Sequence, residues 1–389
     1  MKKILFILLA VFMFVPSFAQ EKISIQHGPY LQNLRETEVT IVWKANLPSV
    51  GWVELAPDDN EDFYAQSHPK YFDTEIGVKK ISQLHVVKIT GLKPGTRYRY
   101  RVFAQEVLKF VGNHVYYGRS TGTNVYKEKP LTFTTNDPSR NRYSFAMIND
   151  IHGRTADIPA LMNVAGYKNM DFIIFNGDMI SFLKDEESMF KAFLDTSVYV
   201  FAKEKPMYYA RGNHETRGEF APHLHEYFSP KEPQLYYTFR QGSVCYIVLD
   251  SGEDKPDSDI EYYGITDFDQ YRTEEAQWLE KALQSDECKN ALWKVVICHM
   301  PPYSDEEIWH GQIDVMQKFV PLLNKAGVDV MLAGHVHRYV YMKPSSEVHF
   351  PVVINSLDTV LKGFVNGNTL KIEVLDKTGK NVDTKTYTK

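Results

Sequence analysis

The chain has 389 residues, a formal net charge of −5 and a hydrophobic share of 43%. That is enough apolar material for a sizeable core and enough length for more than one domain, which excludes a disordered or low-complexity chain. The acidic balance disfavours a nucleic-acid binder, which carries a basic face, so no nucleic-acid partner is expected. The 24 tyrosines and 23 phenylalanines point to β-rich structure or an aromatic-lined cleft without choosing between them.

The chain opens MKKILFILLAVFMFVPSFAQ. Lys2 and Lys3, an apolar run from Ile4 to Val15, a break at Pro16 and the small-x-small step Ser17-Phe18-Ala19 have the form of a secretory leader. The run is too short to span a bilayer. These features predict a signal peptide over 1–19 and an exported protein, periplasmic or secreted. No later stretch is long and apolar enough to cross a membrane, so no stable membrane insertion is expected. Cys245, Cys288 and Cys298 follow, and an odd count leaves at least one unpaired. Cys245 and Cys298 sit in apolar runs and read as buried thiols, with one disulfide left open. The oligomeric state is not legible.

Residues 20–135 form the next unit. VTIVWKA (39–45), GWVEL (51–55), HVVKITGL (85–92), RYRYRVFA (97–104) and PLTFTT (130–135) are short β-branched or aromatic runs separated by turn residues. This spacing predicts an all-β sandwich. The polar stretch 136–141 reads as a linker. From 142 to 389 apolar strands alternate with amphipathic helices, predicting an α/β domain with helices on both sheet faces. Strands are expected over 143–150, 170–178, 206–213, 244–251, 293–299 and 328–335, and helices over 156–168, 188–203, 273–285 and 313–326. In the last helix Ile313, Met316, Phe319, Val320 and Leu323 share one face. The long, acidic, tyrosine-rich segment Gly252–Arg272 is a candidate rim or a polar excursion.

The strands of this second domain end in polar residues. They are Asp150-Ile151-His152, Gly177-Asp178, Gly212-Asn213-His214-Glu215, His299, and Gly334-His335-Val336-His337. Each motif alone has an ordinary structural explanation: a turn, a cap or a satisfied core histidine. Jointly, at the carboxyl ends of strands that gather along one edge, they predict a shared site. Asp150, His152, Asp178, Asn213, His299, His335 and His337 supply carboxylate, amide oxygen and imidazole. That mix suits transition-metal ions such as Fe, Zn or Mn rather than calcium. Seven donors exceed one open catalytic site, so two divalent or trivalent ions are expected, about 3.5–4 Å apart and bridged by a carboxylate.

The motif order D-x-H, G-D, G-N-H-[DE], H, G-H-x-H resembles the calcineurin-like metallophosphoesterases, over about residues 142–340. GPYLQ (28–32), VTIVW (39–43) and GLKPGTRYRYRV (91–102) resemble the fibronectin type III-like domain that precedes the catalytic domain in the purple acid phosphatase group. The resemblance implies two packed mixed sheets flanked by helices. It places one ion on Asp150, His152, Asp178 and His337, and the other on Asp178, Asn213, His299 and His335, with Asp178 bridging. It implies hydrolysis of a phosphorylated small molecule by a metal-bridging hydroxide, with His214 assisting the leaving group. His310 is a substrate contact by its offset from His299, Arg154 and Arg217 are further candidates for the phosphate oxygens, and Glu215 is expected to orient a neighbour or cap a turn, with substrate contact as the alternative. Purple enzymes carry Tyr three residues after the bridging Asp; here that position is Ser181, which implies a colourless enzyme. A phosphodiesterase, or a nucleotide- or phospholipid-directed hydrolase, is the alternative on the same site. The competing class is a binding module with an inactive phosphatase fold.

Overall fold

The computed structural model describes residues 21–124, 128–228, 234–303 and 308–389; the leader over 1–19 lies outside them. The front domain is built around one strand, Glu38–Pro57, where the sequence suggested two. Its first half pairs with Ile25–Gln32 and Ile81–Thr90. Its second half pairs with Arg97–Val111 and Lys70–Phe72. The ladder register breaks between Lys44 and Ser49. Pro48, which lacks an N–H, falls inside that break and forfeits no ladder bond. The strand thereby passes from one layer of the sandwich to the other. Val39, Ile41 and Trp43 from its first half and Val53 and Leu55 from its second fill one core with Tyr100, Val102 and Phe133.

His85 lies inside this domain, fully buried, with Nε2 2.8 Å from Ser49 Oγ and its ring 5.1 Å from Trp43. Burial, reinforced by nearby Lys80, lowers its pKa from 6.5 to about 4. The unfolded chain therefore binds a proton that the folded chain refuses between those two values, and stability falls as pH drops through the window. The expected loss from this one group is about 3 kcal/mol. Urea melts at pH 7 and pH 4.5 should show a smaller difference for His85→Gln than for the parent; equal differences would remove His85 from the account.

The second domain stacks two six-stranded mixed sheets. In the first, Met207–Ala210, Phe172–Asn176 and Arg142–Ile148 run parallel, and Thr359–Asn366, Thr369–Asp376 and Asn381–Thr388 continue it antiparallel. In the second, Val244–Leu249, Trp293–Cys298, Val330–Ala333 and Val352–Ile354 are parallel, with Tyr237–Gln241 and Val340–Met342 antiparallel at the edges. Phe145, Met147, Phe172, Ile174, Tyr246, Val295 and Leu332 interdigitate between the sheets. Helices cover the outer faces. Asp157–Ala165 and the helical run 186–202 cover the first sheet, and Phe268–Leu283 and the run 310–326 cover the second.

The last of these helices departs from the expected face. Val315, Phe319, Val320 and Leu323 are buried, while Ile313 is 41% exposed. A wide i→i+5 turn over Val315–Phe319 rotates the face, ahead of Pro321, which has no N–H to continue the regular ladder. The disulfide that the sequence left open is present, and it takes Cys245 out of the free thiols. Cys245, on a strand, and Cys288, on the short helix Asp286–Lys289, form a disulfide across 43 residues of sequence; Cys298 is the buried free thiol.

The two domains share a core. Tyr30 and Val42 pack with Phe190, Phe193 and Tyr227 of the second domain. His27 stacks on Phe190 at 3.8 Å and bonds Asp195, and Tyr208 Oη donates to the Leu34 carbonyl at 2.7 Å. Within the expected linker, the Asn136 amide is buried and aimed at the Leu34 and Arg240 carbonyls. The front domain thus buttresses the helical run that follows the loop bearing Asp178.

Candidate metal centre

Parallel strands from both sheets end along one edge, and the polar motifs meet there. Asp178 is the meeting point. Its Oδ1 accepts the His214 backbone N–H at 2.9 Å. Its Oδ2 faces inward, 3.1 Å from His299 Nε2 and 3.9 Å from His152 Nε2. Asp150 is divided in the same way. Oδ2 accepts from Asn149 Nδ2 and the His335 backbone N–H, whereas Oδ1 lies 3.4 Å from His337 Nε2 and 3.8 Å from His299 Nε2. Two donor groups result. Asp150, His152, Asp178 and His337 form one; Asp178, His299 and His335 form the other. Asn213 joins the second, its Oδ1 3.1 Å from His335 Nδ1. Only Asp178 is common to both.

The backbone is strained where it presents these groups. Asp150, His152, Asp178, His335 and His337 all have positive φ, between 48° and 71°. Each costs about 1 kcal/mol or more, and such strain persists where the surrounding structure enforces it. Glu215 is one enforcer: fully buried, it accepts backbone N–H groups of Asp178, Met179 and Gly212 at 2.5–3.0 Å. Gly177 turns the chain at φ 81°. Gly212 serves by its lack of a side chain, since a Cβ there would collide with the Asp178 carboxylate.

The donor set fits cations. Asp150 Oδ1 is buried without a hydrogen-bond partner, and His299 Nε2 has only the Asp178 carboxylate beside it; both face the gap between the groups. Leaving an atom such as Asp150 Oδ1 unmatched costs about 1–3 kcal/mol. Burial disfavours charge on His299, but Asp178 and Asp150 outweigh it and raise its pKa to about 10. Without a metal, a proton there offsets part of the carboxylate charge. His152 and His335 are driven down to about 4, chiefly by burial, and so stand as neutral imidazoles, the ligating form. The His299 Nδ1–H is directed at the Asn176 carbonyl at 2.7 Å, leaving Nε2 for the site.

The other candidates occupy different places. His214 Nδ1 is 3.0 Å from the Ser181 carbonyl and its Nε2 is 4.0 Å from Asp178 Oδ2, on the accessible side of the cluster. Ser181 Oγ is 3.3 Å from His152 Nδ1, so this one residue contacts two of the histidines. Arg154 is tied to Asp157 and the Asp150 carbonyl. Arg217 is held by Glu253 and Asp254, and Asp254 in turn accepts from Asn213 Nδ2 at 3.1 Å. His310 bonds Asp269 at 2.7 Å, and none of its hydrogen bonds among the described residues reaches the two donor groups. Sequence reasoning missed Asn149, Asn355 and Asp254. Asn355 Nδ2 donates to Asn149 Oδ1 at 2.8 Å and so orients the amide that fixes Asp150.

Residues 143–339 match the calcineurin-like phosphoesterase family, and residues 27–135 match the purple acid phosphatase N-terminal domain. Purple acid phosphatase 21 of Arabidopsis thaliana is 25% identical over 299 residues, covering 71% of this chain and 59% of its own. Purple acid phosphatase 22 of the same plant is 28% identical over 275 residues, covering 67% and 54%. The matched region is therefore little more than half the length of these curated relatives. A purple acid phosphatase from yellow lupin seeds shares the fold, with a TM-score of 0.67 at 15% identity, over 92% of this chain and 74% of that one. The chain belongs to the calcineurin-like phosphoesterases and carries in front the N-terminal domain of the purple acid phosphatases.

Proposed function

We propose that the chain is an exported phosphomonoesterase working with two transition-metal ions, drawn from Fe, Zn or Mn. The observation that carries this reading is the pair of donor groups sharing the single carboxylate Asp178. Asp150, His152, Asp178 and His337 would hold one ion, and Asp178, Asn213, His299 and His335 the other. When bound, such ions lower the pKa of water toward neutrality and neutralise charge on phosphoryl oxygens.

The chain's own residues do the rest. Asp178, gripped through Glu215 and the His214 N–H, fixes the spacing of the two positions. His214, with Nδ1 at the Ser181 carbonyl, presents Nε2 to the accessible side, where it can give a proton to the departing alkoxide. Arg217 and Arg154, each engaged by carboxylates, hold the frame around Asn213 and Asp150, and Glu215 positions Asp178 rather than touching substrate. His310 would contact substrate only by leaving Asp269. Export rests on the leader and agrees with the Cys245–Cys288 disulfide. Among the described residues no helix is long and apolar enough to cross a membrane.

The test pairs elemental analysis with release assays on matched mono- and diesters. About two ions per chain with preferential monoester release is the expected result. Preferential diester release would move the reading to a phosphodiesterase, and no ions with no release after reconstitution would favour a binding module. Because Ser181 stands three residues after Asp178, no phenolate is supplied there. The iron-loaded protein should therefore lack a strong visible charge-transfer band, which an absorption spectrum checks directly.

A further inference from the structure

The outward sheet face of the front domain carries a cleft of its own. Side chains alternate along a strand, so Trp52 and Glu54 point away from the core that Val53 and Leu55 fill. Register sets Trp52 between Phe72 and Phe103, and Glu54 between Lys70 and Arg101. An aromatic row therefore lies beside a row of alternating charge. Trp52 and Phe103 stack at 5.0 Å, 4° from parallel, and Phe72 lies 6.1 Å from Trp52. The segment 58–69 folds over this face and encloses a cleft of about 610 Å³, within the range of small-molecule sites, about 300–1,000 Å³.

The cleft is held in shape without a ligand. The Arg101 guanidinium lies between the rings of Tyr64 and Phe103, 4.9 and 4.6 Å from their centroids, and donates to the Thr123 carbonyl at 3.0 Å. Arg99 anchors the covering segment through the Pro57 carbonyl and Asp59, and Phe63 is buried beneath it. Little ordering entropy is left to lose on binding.

Its chemistry narrows the ligand. Lys70 pairs with Glu54 at 3.6 Å, so the lining carries one net positive charge. A nucleic acid or other polyanion needs several uncompensated cations. What the cleft offers is the exposed Tyr64 ring, which carries Arg101 on one side, flanked by the Gln66 amide and the Ser67 hydroxyl, which both donate and accept, and by the Glu54 acceptor. Sugar hydroxyls also donate and accept, and a pyranose has an apolar C–H face that packs on aromatic rings. The lining of the cleft and the two donor groups share no residue. Both sites can be filled at once.

We propose that this cleft binds a neutral oligosaccharide, or a segment of a neutral polysaccharide, and so tethers the phosphoesterase domain to glycan-bearing material. The experiment is native electrophoresis of the full mature protein in gels cast with xylan, mixed-linkage β-glucan, glucomannan, starch or hydroxyethylcellulose. An oligodeoxythymidylate shift assay runs in parallel. At least one polysaccharide should retard the parent. The double substitution Tyr64→Ala with Gln66→Ala, both in the covering segment, should weaken that retardation by about tenfold or more with phosphate-ester turnover and melting temperature unchanged. No retardation by any polysaccharide, equal retardation of parent and variant, or binding confined to the oligonucleotide would each overturn the proposal.

Discussion

Replacing Asp178 by asparagine should empty both ion positions together and lower kcat/KM on a phosphomonoester by at least about 10³-fold. Asp178 alone belongs to both donor groups. Asparagine keeps the size and one oxygen, so the acceptor for the His214 N–H survives. It removes the charge that faces His299 and His152, and it can turn N–H donors toward imidazole nitrogens that need lone-pair partners or a cation. It also removes the larger of the two carboxylate influences that hold His299 protonated in the metal-free protein. Inductively coupled plasma analysis of the purified variant, beside steady-state kinetics, reads both effects; full retention of both ions would refute the shared-carboxylate scheme. Substitutions at the paired histidines sharpen the contrast. His337→Ala should weaken one ion and His335→Ala the other, because His337 faces Asp150 while His335 faces Asn213. Identical loss profiles would mean that both serve one ion.

Much of this centre was legible because each donor follows directly on a strand that the apolar pattern marks. Once VDVMLAGH or DFIIFNGD is recognised as a buried parallel strand, its polar end must lie at the sheet edge with the others. The supports were not legible in the same way. Asn149 and Asn355 are far apart in sequence and meet only because Arg142–Ile148 and Val352–Ile354, strands of the two different sheets, end close together. Asp254, beneath Asn213, sits in a loop whose composition suggested only acidity. Arg217 looked like a phosphate ligand by its position after His214, yet two neighbouring carboxylates already hold it. The same limit applies to the fold. Alternation found the front-domain strands, but the passage of Glu38–Pro57 between layers depends on which partners each half meets. In the helix over 310–326 a regular period predicted the wrong edge residue, because one wide turn shifts every later position.

The second large effect concerns His214. Its ring is fixed by contact with an atom that can only accept: the Ser181 carbonyl, 3.0 Å from Nδ1, requires the hydrogen on that nitrogen. Nε2 is then the nitrogen turned to the accessible side, and the side chain is 27% exposed beside the buried Asp178. As an imidazolium, with a second hydrogen on Nε2, a group so placed can hand that proton to a leaving oxygen and be left neutral, without being a member of either donor group. His214→Ala should therefore lower kcat by about 10²–10⁴-fold on an alkyl phosphate while both ions stay bound. The loss should be much smaller on p-nitrophenyl phosphate, whose leaving group departs without needing a proton. The ratio of the two losses is the discriminating measurement. If the alanine variant sheds metal, His214 holds the loop that carries Asn213 and is a structural residue. If it keeps its metals but loses the same factor on both substrates, the residue binds the phosphoryl group, and the proton reaches the leaving oxygen by another route.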